Sequence, residues 1–84
     1  MDAQNFSLAI VSPSLTQLHV VEWVEIEGAT GSFFVGPCHA PLVALIKNKG
    51  TLTYKKADAD TVSLVVSKGI FNVANNTAIV LLEQ

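Results

Sequence analysis

Cys38 and His39 are the one adjacent pair in this sequence whose types could make a nucleophile and its general base, and their spacing works against it. Neighbours in an extended chain point to opposite faces, and no Asp or Glu lies close by to orient the imidazole. His39 therefore reads as a loop residue making a hydrogen bond or a contact, and Cys38 as a small apolar residue. With His19 added, two His and one Cys fall short of the four ligands of a metal centre. Gly28-Ala-Thr-Gly31 is not followed by Gly-Lys-Ser/Thr, and no helix start follows that would receive a phosphate. The sequence predicts no catalytic residue, no cofactor and no metal.

These residues lie in or near a stretch dense in backbone punctuation, Gly28 to Leu42, in which Gly28, Gly31, Gly36, Pro37 and Pro41 impose turns or extended geometry. It reads as a loop carrying a short strand over 33–35, presented by a β scaffold. Upstream, Phe6, Leu8 and Ile10 alternate over 6–12, and Ser12-Pro13-Ser14 ends that strand. Residues 18–27 form the longest candidate, with Val24 and Ile26 facing one way and Trp23, Glu25 and Glu27 the other. The phase breaks upstream, which a bulge near Val21 would reconcile. Trp23 is either a contact residue on a polar face or a side chain turned into the core by that bulge.

Downstream, 41–46 is a continuous apolar run too short for a helix. Residues 51–56 alternate with Leu52 and Tyr54 inward, and 61–67 with Val62, Leu64 and Val66 inward. Gly69 marks a kink before 70–73, Asn75-Asn76 a tight hairpin turn, and 77–82 a last strand. About eight short, mostly antiparallel strands predict an all-β flattened sandwich or barrel, one domain over 1–84.

The first half holds Asp2, Glu22, Glu25 and Glu27 with no cation, whereas all five lysines lie in the second half, a polarity suited to orienting the domain on a charged partner. The absence of arginine and the net charge of −2 argue against nucleic acid. Lys47, Lys49, Lys55 and Lys56 flank one hairpin and read as a solvated, protected sheet edge. One cysteine permits no internal disulfide, no leader pattern opens the chain, and no apolar run reaches the ~20 residues of a membrane helix, which predicts a cytosolic domain without direct membrane insertion.

Gly31-Ser-Phe-Phe-Val-Gly-Pro-Cys-His-Ala-Pro-Leu42, then Gly50-Thr-Leu, then Ser67-Lys-Gly-Ile-Phe-Asn-Val73 resembles the amino-terminal domain of the epsilon subunit of rotary F-type ATP synthases. The resemblance implies a flattened β-sandwich of about ten short strands, a non-catalytic stalk domain that grips the gamma subunit and rests on the polar loops of the c-ring. It is thereby placed at the cytoplasmic face of a bacterial inner membrane or at another energy-coupling membrane. Carried over by position, Gly31, Ser32, Cys38, His39, Ala40 and Pro41 belong to the ring-facing side, and Ser12, Trp23, Ala44 and Ser67 to the gamma-facing side. Ser32 stands where the family usually has Glu, and Phe34 and Cys38 where it has glycine, so their Cβ atoms resist positive φ. Ending at Gln84, the chain is expected to be a short form without the family's carboxy-terminal helical pair. The competing expectation is a free-standing β module that binds a peptide or small ligand in a groove formed by Trp23 and Tyr54.

Overall fold

The computed structural model describes residues 5–83; Asp2, counted above in the acidic half, and Gln84 lie outside them. Apolar alternation resolves into eight strands: β1 (Phe6–Val11), β2 (Thr16–Gly28), β3 (Gly31–Val35), β4 (Leu42–Ile46), β5 (Gly50–Lys56), β6 (Thr61–Val66), β7 (Gly69–Ala74) and β8 (Thr77–Leu82). The inward residues are those the two-residue period selects: Phe6, Leu8 and Ile10 on β1, Leu52 and Tyr54 on β5, and Val66 on β6 with Val62 and Leu64 packed against the core. The phase break in β2 is a bulge. Register shifts between Val21 and Trp23, so Val21 and Val24, an odd number of residues apart, both face the core.

The strands join in the order β1-β8-β7-β4-β2-β5-β6, with β3 paired to β2. β1 runs parallel to β8 and antiparallel to β2, and Gly28 of β2 bridges to Ile46 of β4, so the path closes on itself. Val21 is flanked by Phe6 and Lys56, and Val24 by Val35 and Tyr54, which sets β1 and β3 end to end along one side of β2 with β5 on the other. The thirteen residues of β2 thus serve both layers of a flattened sandwich measuring 37 × 26 × 20 Å. The buried core includes no polar or charged residue among the described ones.

Several expectations need correction. The stretch from Gly28 to Leu42 is not one continuous loop: it contains the end of β2, a two-residue hairpin turn, all of β3, a six-residue connection over 36–41 and the first residue of β4. The hairpin demands glycine twice. Gly31 has φ 148°, and a Cβ on Gly28 would lie 2.8 Å from both the Gly31 carbonyl oxygen and the Phe33 ring. Gly69 opens β7 as a paired strand residue opposite Ile46 and Leu82. Lys55 and Lys56 do not guard an edge, because β5 is paired on both sides. Nor does the charge polarity of the two halves survive folding: Glu22 meets Lys55 at 3.5 Å and Glu27 meets Lys47 at 3.8 Å.

Candidate interaction surfaces

The connection over 36–41 is fastened by the β7–β8 turn. Asn75 and Asn76 both take positive φ, as the short hairpin requires, and the Asn76 side chain then does two jobs. Its Oδ1 accepts the Cys38 amide at 2.7 Å and its Nδ2 donates to the Asn5 carbonyl at 3.3 Å. Cys38 itself sits at φ 60°, a left-handed conformation where a glycine would be unstrained, whereas Phe34 lies extended in β3 opposite Glu25. His39 donates from Nδ1 to the Ala40 carbonyl at 2.6 Å, which leaves Nε2 outward on a partly exposed ring. The loop thus presents Cys38, His39, Ala40 and Pro41 as one group. Gly31 and Ser32 are not brought to it; they lie at the far end of β3, about 15 Å away along the strand. Replacing Asn76 by Ala should cost about 1–2 kcal/mol and should speed exchange of the Cys38 amide, because the acceptor of an exposed amide and a tolerated left-handed residue are lost together.

The second surface is missed by the sequence reading. Cross-strand register aligns outward side chains in two rows over β4, β7, β8, β1 and the first half of β2: Leu45, Ile70, Leu81 and Val11, then Val43, Asn72, Ile79, Ala9 and Leu18. Val20, two residues further along β2, lies outward beside Leu18 and opposite Ser7. Of ten exposed large hydrophobics among the described residues, seven lie on this face, from Leu18 at 76% to Ile79 at 36%, so it is a patch and not scatter. The signal was present in the unbroken apolar runs of β4 (Leu-Val-Ala-Leu-Ile) and β8, since strands apolar on both faces are strands covered on both faces. Ala44 points inward opposite Phe71, so its neighbours Val43 and Leu45 are the outward ones. Where this face meets the β2–β3 hairpin, Leu45, Ile70, Leu81 and Leu82 floor a cleft of about 570 Å³ rimmed by Lys47 and Lys68.

The opposite outer face is polar and carries Glu25, Glu27, Ser32, Thr51 and Thr53. Trp23 lies here, half-buried and packed on Phe34 at 5.5 Å, so the bulge does not turn it inward. Tyr54 is in the core and shares no groove with Trp23. Ser12 accepts and donates within the β1–β2 turn, bonding Leu15, and Ser67 is exposed in the β6–β7 turn.

His19 caps the core beside Tyr54: the rings stack at 5.1 Å, and His19 Nε2 stands 3.1 Å from Gln17 Oε1 and 3.4 Å from the Tyr54 hydroxyl. Burial, and then the Lys56 charge, holds the His19 pKa below 6.5. The folded chain therefore binds fewer protons than the unfolded chain just below that value, and stability falls as pH drops through the folded pKa. Burial raises the Tyr54 phenol above 10, so stability also falls as pH rises through that raised value. Urea midpoints measured between about pH 5.5 and 7.5 should rise with pH, and His19→Gln should flatten that slope.

Residues 5–84 match the family model described as the ATP synthase, Delta/Epsilon chain, beta-sandwich domain. The chain is 39% identical over 82 residues to the ATP synthase epsilon chain of Trichlorobacter lovleyi, an alignment covering 96% of this chain and 58% of that relative. In fold it superposes on a chain of the Euglena gracilis mitochondrial ATP synthase, from a structure of OSCP, F1 and c-ring, with a TM-score of 0.88 at 14% identity, covering all of this chain and 54% of that one. A chain from the central stalk and c-ring of the Tetrahymena thermophila mitochondrial ATP synthase gives 0.77 at 10% identity, again over the whole of this chain and 67% of the other. The flattened sandwich, its hairpin glycines and the Pro37-to-Leu42 loop thus belong together, and this chain is a member of the ATP synthase delta/epsilon β-sandwich family.

Proposed function

We propose that this chain is a rotor subunit of an F-type ATP synthase, a non-catalytic part of the central stalk that couples c-ring rotation to the gamma subunit. The observation that carries the reading is the uncharged outer face built from Val43, Leu45, Ile70, Ile79 and Leu81, a surface of the kind buried in permanent assemblies. Gamma covers this face. The outward neighbours of Ala44 make the contact, and Ser12, Ser67 and Trp23 stand at or beyond its border. The loop carrying Cys38, His39, Ala40 and Pro41 rests on the c-ring, with Gly31 and Ser32 reaching it from the other end of β3. The complex holds the domain at the cytoplasmic side of a bacterial inner membrane without inserting it.

Tagged chain, expressed in cells that make the synthase and recovered from a detergent extract, should retain gamma and c-ring. Recovery of neither overturns the reading. The cleft beside Lys47 and Lys68 favours a second reading, a small-ligand module, which predicts that the tagged chain emerges without either partner.

A further inference from the structure

Among the described residues, β6 ends the strand path and is paired on one side only. Its open backbone groups can be identified. The Thr51 amide donates to Glu27 Oε1 and the Ala57 amide to the Val20 carbonyl, both toward β2. The odd residues of β5 therefore face β2, while Leu52 and Tyr54 bond Leu64 and Val62 of β6 and the Gly50 amide closes the turn onto the Lys47 carbonyl. Thr61, Ser63 and Val65 are left with their N–H and C=O groups directed outward. Edge strands are usually blunted by Lys, Pro or a bulge, yet Thr-Val-Ser-Leu-Val-Val has none of these, and Val65 is 73% exposed. Val62 and Leu64 are only partly covered.

We propose that this edge pairs with the same edge of a second copy of the chain, antiparallel about a two-fold axis through Ser63. In that register Ser63 faces Ser63 and Thr61 faces Val65, so every open group of the edge finds a partner. Val62 of one copy lies against Leu64 of the other, completing their cover. The same register carries Lys68 of each copy to the Asp58–Asp60 turn of the other, a charge match that no other part of the edge requires. Lys68 is free to make it, since its own contact with Glu83 is a long 3.9 Å between exposed groups. This association goes beyond the rotor reading and leaves the apolar face open. One strand pair buries little area, so the dimer is weak, with a dissociation constant on the order of 0.1 mM.

Sedimentation of the chain from about 0.02 to about 1 mM at low salt should show the mass rising from 8.9 kDa toward twice that value. Exchange of the Thr61, Ser63 and Val65 amides should slow in parallel. Ser63→Pro removes an amide that has no partner among the described residues and should leave a monomer with an unchanged circular dichroism spectrum. Lys68→Asp should weaken the dimer about tenfold, and adding Asp58→Lys should restore it. A chain that stays monomeric at 1 mM overturns the proposal, including the case in which the edge serves a strand of another protein. Undiminished dimerisation of Ser63→Pro overturns it too.

Discussion

Phe71→Ala is expected to remove about 3–5 kcal/mol of folding stability, the range found when a buried aromatic is truncated. Phe71 is the largest fully buried side chain, centred in β7 between Ala44 of β4 and Val80 of β8. With a small residue on one side, the β4 backbone has nothing to collapse into the hole, so the cavity persists. A domain of this length has about 4–13 kcal/mol in total, so the variant should stand near the edge of folding, its thermal midpoint lower by at least about 12 °C. Urea denaturation checks this against Phe34→Ala, which truncates a ring that is 62% exposed and should cost under about 1 kcal/mol. A Phe71→Ala chain within about 1 kcal/mol of the parent would mean that the core is not centred where the strands place it.

The largest functional effect should come from Leu45→Glu combined with Ile70→Glu. The two residues face each other across β4 and β7, outward, at 62% and 41% exposure, so the charges enter water in the free chain and, as like charges directly opposite, cost under about 1 kcal/mol of stability. In the proposed docking on gamma they would be desolvated with no partner, and each buried hot-spot position is worth about 2 kcal/mol or more, or about 30-fold. Retention of gamma should fall by at least about 100-fold while the urea-measured stability falls by under about 1 kcal/mol. Glu25→Lys, on the opposite face, is the control and should bind as the parent does. Equal loss in both variants would move the interface off the apolar face.

Most strands were legible because they carry their own alternation, and β4 because its apolar run is too short for a helix: Phe6, Leu8 and Ile10 announce β1 without help from any other segment, and the slip in phase at Val21 announces the bulge. The asparagine pair was legible as a turn, since Asn accepts positive φ. That Asn76 also fastens Cys38, 38 residues away, was not, because nothing local marks a side chain for a distant amide. The ring-side residues were nominated as one set by their closeness in sequence, but β3 is extended and carries Ser32 away from His39. The apolar face was hidden for a related reason. Its rows run across five strands, and an outward residue such as Leu45 differs from its inward neighbour Ile46 only by parity. Lys55 and Lys56 were misread because strand order, which decides what is an edge, is a property of pairing and not of the strand's own residues.

β2 runs without a break from its pairing with β1 to its pairing with β3 and β5. The two layers are therefore stitched by peptide bonds as well as pressed together by side chains. A twisting force applied to one layer reaches the other along the main chain, so the sandwich cannot delaminate by sliding its interior contacts past one another. It must instead peel β1 from β2 hydrogen bond by hydrogen bond. A single cut in the backbone near Val21 would turn this seamless corner into a hinge.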